Sequence, residues 1–128
     1  MSLSAAECRR VIMRMSDKQW NFLLDVAELI HYAADANIKM TGGELYRTAY
    51  QHAENQRLGL TKAVRSKHMD RLAIDFNLWY EDKVMWSMSK DEILTHFKFL
   101  GEFWEQLREG NRWGGHWSFF DPAHFQGP

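Results

Sequence analysis

A chain of 128 residues has the length of one compact domain, and 45% apolar with 14% aromatic residues supply a real core, which excludes a disordered protein. Sixteen Lys+Arg against seventeen Asp+Glu leave a formal charge of -1, so no bulk attraction draws a polyanion and nucleic acid is not expected as a partner. Cys8 is the only cysteine, which excludes an internal disulfide framework and any Cys-rich zinc or iron–sulfur centre; a metal would have to be held by His and carboxylate. Arg9, Arg10 and Arg14 flank only Val11-Ile12-Met13, too short an apolar run for a signal-peptide core or a membrane span. The expectation is a chain made in the cytoplasm, without stable membrane association.

Ser16-Asp17-Lys18-Gln19 has the spacing of a capping box, and behind it Trp20, Leu23, Leu24, Ala27, Ile30, His31 and Ala34 recur at helical intervals, which predicts a helix over 17–36. Ile38-Lys39-Met40 and Glu44-Leu45-Tyr46 read as short extended pieces around Thr41-Gly42-Gly43. Residues 48–66 are polar without a sustained period and read as a long surface loop. Leu72, Ile74, Phe76 and Leu78 alternate with Ala73, Asp75, Asn77 and Trp79, the pattern of a half-buried strand with Asp75 on the face opposite the aliphatic set. A second capping box, Ser89-Lys90-Asp91-Glu92, opens a helix whose stripe Ile93, Phe97, Leu100, Trp104 and Leu107 should cover the sheet and end near Gly110. The tail is a glycine turn feeding an aromatic segment, then Asp121-Pro122-Ala123-His124-Phe125. Helix, strands, helix, strand without repeat or linker indicate a small α+β domain: an antiparallel sheet with helices packed on it.

Among six histidines, those paired with carboxylates carry most information. His68 lies seven residues before Asp75, and Asp121 three before His124. If His68 ends a loop entering the strand of Asp75, and His124 sits on a neighbouring strand, the three form a two-His, one-carboxylate site of the kind that suits zinc in hydrolases and leaves a coordination position open. Asp121 is the candidate base for a zinc-activated water. In an extended 121–124 segment it would face away from His124, so Pro122 must bend the chain. Spacing alone leaves the ordinary reading open, in which these are surface or capping groups. His116 is open between exposure, substrate contact and metal binding. His31, His52 and His96 read as structural or solvated, Trp104, Trp113 and Trp117 as core and cleft wall, and Glu44 and Asp70 as neighbours of the motif.

Ser66-Lys67-His68-Met69-Asp70-Arg71-Leu72-Ala73-Ile74-Asp75 resembles the S-x-H-x-x-G-x-A-x-D motif of zinc peptidases that cut peptidoglycan stem peptides. That group contains D-alanyl-D-alanine carboxypeptidases, vancomycin-resistance dipeptidases and phage L-alanyl-D-glutamate endopeptidases. Asp121-Pro122-Ala123-His124 is similar to the second motif, a carboxylate, two residues and His. Trp113-Gly114-Gly115-His116-Trp117 is similar to the W-G-G-x-W of the phage endolysin branch, and Tyr46-Arg47-Thr48 resembles the upstream Y-R-[ST] element. The four elements stand in family order over residues 46–125. Arg71 replaces the family glycine, a position where Arg is expected only if φ stays negative.

The resemblance implies the zinc-peptidase fold, one peptidase domain with its core over 16–127 after an extension of 1–15, and a monomer. It also implies His68, Asp75 and His124 as zinc ligands and Asp121 as general base and proton donor to the leaving amine. Arg47 would bind substrate or stabilise the oxyanion, Ser66 would hydrogen-bond near the site, and Trp113 and His116 would touch substrate. The expected activity is zinc-dependent hydrolysis of an amide bond in the peptidoglycan stem peptide, foremost the L-alanyl-D-glutamate bond, by a phage or prophage endolysin that meets the wall after release. The alternatives are a D-alanyl-D-alanine carboxypeptidase or dipeptidase, and a non-catalytic, zinc-stapled wall-binding protein.

Overall fold

The structure, a computed structural model, describes residues 13–128; Cys8, Arg9 and Arg10 lie outside them. Helix α1 spans Met15–Asp35, strand β1 Ile38–Gly42, helix α2 Ala49–Arg57, β2 Ala73–Tyr80, β3 Lys83–Val84, helix α3 Lys90–Leu107, β4 Arg112–Trp113 and β5 His124–Gln126. The strands form one sheet in the order β1-β2-β5-β4, with β3 also on β2 and every pairing antiparallel. This is the α+β architecture read from the chain. Among the described residues no helix is long and apolar enough to cross a membrane.

Helix α1 begins two residues ahead of the predicted start. Arg14 occupies the cap position and its N–H donates to Asp17 Oδ2 at 3.3 Å, while Gln19 leaves the cap and donates to the Asp70 carbonyl at 2.8 Å. The predicted stripe is also the wrong face: Phe22, Val26, Leu29 and Ala33 are buried, whereas Leu23, Leu24 and Ile30 are exposed and Trp20 is 61% exposed. Both faces carry apolar residues at three- and four-residue spacing, so periodicity identifies the helix without choosing the face that meets the sheet. Phe22 makes that choice through its edge-on contact with Trp104 of α3, ring centres 5.7 Å apart.

The polar stretch predicted as loop contains α2. Thr48 caps it, accepting from Gln51 N at 3.0 Å, and one buried residue, His52, anchors it, which is too little apolar surface to produce a period. Residues 44–46 form no strand, yet Gly43 N donates to Asp75 O at 2.8 Å and Asp75 N to Glu44 O at 2.9 Å, so the chain stays tied to β2 beyond the end of β1. The box at Ser89 forms as predicted: Ser89 Oγ accepts from Glu92 N and Glu92 Oε1 from Ser89 N. It starts α3, which buries Ile93, Phe97, Leu100, Gly101 and Trp104 against the sheet.

Trp113 closes the core. A Cβ on either Gly101 of α3 or Gly115 would collide with its indole, so both positions need glycine for close approach. The wedged ring is 0% exposed, and its Nε1–H donates to the Pro122 carbonyl at 2.8 Å, joining β4 to the turn before β5.

Candidate active site

Two local devices aim His68. Ser66 Oγ accepts from His68 N at 3.2 Å and caps a single 3-10 turn, Lys67–Asp70, whose end is Arg71 in the left-handed region at φ 57° and ψ 37°. The negative φ expected of Arg71 is therefore not what it adopts. Left-handed backbone costs an L residue about 1 kcal/mol; here Arg71 N donates to His68 O at 3.3 Å and the guanidinium lies 4.1 Å from the centre of the Tyr46 ring, contacts that offset the strain. The chain then enters β2, where Asp75 stands directly opposite His124 in the β2–β5 register. Before His124, residues 121–124 make a tight turn with His124 N donating to Asp121 O at 3.1 Å, so the bend at Pro122 is present and Asp121 lies on the same side as His124.

Three atoms converge: His68 Nε2, His124 Nδ1 and Asp75 Oδ1. Their separations are 3.2 Å between the nitrogens and 3.3 and 3.4 Å from each nitrogen to the oxygen. A tetrahedral zinc with ligand bonds of about 2.0–2.1 Å has ligand–ligand edges of about 3.3 Å. The outer ring nitrogens fix the tautomers. His68 Nδ1–H donates to the Leu45 carbonyl at 3.0 Å and His124 Nε2–H to Gln126 Oε1 at 2.8 Å, which leaves a lone pair on each inward nitrogen. Asp75 Oδ1 is buried with no hydrogen-bond partner. Two lone pairs and an unpartnered carboxylate oxygen aimed at one point are the donor set a divalent zinc ion requires, so these residues fit the group. Burial opposes ionisation of Asp75, but the His124 and His68 rings beside it hold its carboxyl well below the usual carboxylate range. Burial likewise opposes charge on His68, and the Asp75 carboxylate raises it above the ordinary imidazole value.

Asp121 lies beside this triangle, Oδ2 3.9 Å from His124 Nδ1. Burial raises its carboxyl above the ordinary value, against the pull of His124. Arg47 is held on three sides: two of its guanidinium nitrogens reach Glu44 Oε1 at 2.6 and 2.7 Å, Nη1 donates to His52 Nδ1 at 3.1 Å, and its backbone N–H donates to His68 O at 3.1 Å. His52 is 3% exposed and spends its other nitrogen on the Ala63 carbonyl at 2.9 Å. Arg47, Ser66, His68, Asp121 and His124 all line one open cavity of about 420 Å³, whose aromatic wall is Trp117 and Phe119.

Trp113 and His116, expected to touch substrate, do not line this cavity. Trp113 is consumed by the core. His116 is pinned to α3 through Nδ1 and Glu105 Oε1 at 2.8 Å and packs edge-on against Trp113. Their neighbours in sequence, Trp117 and Phe119, take the position on the wall. Glu44, a near neighbour of the motif in sequence, holds Arg47 and lies 3.6 Å from His68 Nδ1. His52, read as structural or solvated, is buried and structural; Gln126 was missed, although it follows the ligand motif by two residues along a strand, and that period-two spacing places it on His124's side.

Residues 60–127, more than half of the chain, match a family model described as D-alanyl-D-alanine carboxypeptidase, of the M15 peptidase type. No curated protein matches. Among solved structures, the Serratia marcescens L-Ala D-Glu endopeptidase ChiX shares the fold, with a TM-score of 0.64 at 21% identity over 91% of this chain and 87% of that one. The matched span holds the 3-10 turn, β2 and β5, and with them the three converging donors and Asp121. The chain belongs to the D-alanyl-D-alanine carboxypeptidase family of peptidases.

Proposed function

We propose that the chain is a zinc peptidase that hydrolyses an amide bond in the peptide stem of bacterial peptidoglycan, foremost the L-alanyl-D-glutamate bond, and serves as a phage or prophage lysis enzyme. The observation that carries this reading is the triangle formed by His68, Asp75 and His124, open to a cavity with Asp121 at its edge. Zinc bound there supplies Lewis acidity towards a carbonyl oxygen and towards water. Asp121 takes the proton of the attacking water and returns it to the leaving nitrogen; a carboxyl raised by burial suits both halves of that task. Arg47, fixed by Glu44 and His52, keeps a permanent positive charge at the cavity where negative charge grows on the carbonyl oxygen. The Ser66 oxygen accepts from His68 N, leaving its O–H to donate into the cleft.

A second reading, removal of a terminal D-alanine, has the family model's own description in its favour. Mass spectrometry of purified peptidoglycan after digestion separates the two: a new N-terminal D-glutamyl end is expected, and release of free D-alanine alone would favour the carboxypeptidase. Asp121→Ala should lower turnover by roughly 10²–10⁴-fold with zinc retained. Loss of zinc together with activity would make Asp121 a ligand and reassign its role.

A further inference from the structure

The chain as a whole is nearly neutral, but one wall of the cleft is not. The cavity lining includes Arg47, Lys62, Arg65 and Lys67, with Asp121 as its one carboxylate. Two of these cations have a carboxylate partner: Arg47 pairs with Glu44 and Arg65 with Asp70. No carboxylate among the described residues pairs with Lys62 or Lys67. The segment carrying Lys62 is a built part of the wall, because the Ala63 carbonyl accepts from both His52 Nε2 at 2.9 Å and Gln56 Nε2 at 2.8 Å of α2. Lys62 reaches across towards the aromatic wall, its Nζ 5.9 Å from the centre of the Phe119 ring. Lys67 precedes His68 in the chain and lines the same cavity.

Two lysines without a carboxylate partner, both lining one cleft, favour a substrate that brings its own negative charge. We infer that Lys62 and Lys67 form a carboxylate-reading subsite that selects stem peptides carrying a free carboxylate beside the scissile bond. This rests on the reading of the chain as a stem-peptide hydrolase. A glutamate joined to the stem through one carboxyl keeps the other, and a terminal D-alanine keeps its own; both sources present the same group.

The test uses zinc-loaded protein and synthetic stem peptides in four forms: the glutamyl carboxyl free or amidated, and the C-terminal carboxyl free or amidated. Both kcat/KM and the binding constant, read by isothermal titration on the Asp121→Ala variant so that the peptide stays intact, are measured. One free carboxyl is expected to improve both by about tenfold over its amide, with the advantage shrinking as salt is raised. In the double variant Lys62→Met/Lys67→Met the acid-to-amide ratio is expected to fall to about one, and the position at which amidation weakens handling by the unaltered protein identifies which carboxyl is read. Equal handling of acid and amide peptides by the unaltered protein overturns the inference while leaving the hydrolase reading intact, as does a ratio that survives both substitutions. If no peptide is cleaved but the acid form still binds more tightly and loses that advantage in the double variant, the subsite stands and the hydrolase reading falls.

Discussion

Gly114→Ala tests whether the glycine loop positions the base. A Cβ at Gly114 collides with the Asp121 carbonyl oxygen and comes to 3.0 Å from both Asp121 C and Asp121 Cβ. The obstacle is backbone, so no flexible side chain can yield. The same two residues are joined by Asp121 N donating to Gly114 O at 2.9 Å. Restoring van der Waals separation requires the Asp121 peptide to recede by about 1 Å. That strains or breaks the hydrogen bond, at a cost of about 1–3 kcal/mol in stability. A displacement of this size at a reacting group lowers turnover by about 10²-fold. The assay is steady-state cleavage of a stem peptide beside a thermal melt, with Gly42→Ala as the control, since nothing lies within 4 Å of a Cβ there. We expect Gly114→Ala to lose kcat far more than KM and to keep its zinc. A variant with normal kcat and an unchanged melt would refute the idea that this contact sets the base.

Chelation removes a ligand that binds only the folded chain. Zinc at about 100 times its dissociation constant contributes about 2.7 kcal/mol, so stripping it should lower the melting temperature by about 10 °C, and an unchanged melt would argue against a bound metal. In the metal-free protein Asp75 has a folded value below its unfolded one near 4, so its contribution is present above that pH and lost as pH falls. Urea midpoints between pH 5 and pH 3 should fall more steeply for the parent than for Asp75→Asn; parallel profiles would contradict the assignment. Arg71→Val puts a β-branched residue at positive φ and removes the contact with Tyr46, for a loss of about 2 kcal/mol in chemical denaturation. Arg71→Gly should stay within about 1 kcal/mol of the parent, because relief of strain is offset by a freer unfolded chain and by the same lost contact with Tyr46.

The β2 strand and helix α3 were legible because each signal has a single physical solution: strict alternation in one case, a reciprocal cap ahead of one apolar stripe in the other. Helix α1 was legible as a helix only, since Phe22 and Trp20 both satisfy its period and tertiary contact decides between them. Helix α2 was hidden because its buried content is one histidine, a residue no hydrophobic period registers. The convergence of His68, Asp75 and His124 followed from spacing together with the family resemblance. What spacing could not contain was the register that sets Asp75 against His124, or the outward hydrogen bonds to Leu45 and Gln126 that turn the rings. Trp113 was left between core and substrate contact for a related reason: an aromatic beside glycines reads equally as cleft wall or as a wedge, and only the packing of Gly101 and Gly115 distinguishes them.

The wedge has a consequence for how activity arises. One indole seals the interior and, through its bond to Pro122, holds the bend from which Asp121 and His124 project. Loss of the wedge should therefore cost stability and hydrolysis together. A chain in which this indole is unseated should be inert rather than sluggish, so that catalysis gauges the fraction of molecules with the wedge in place.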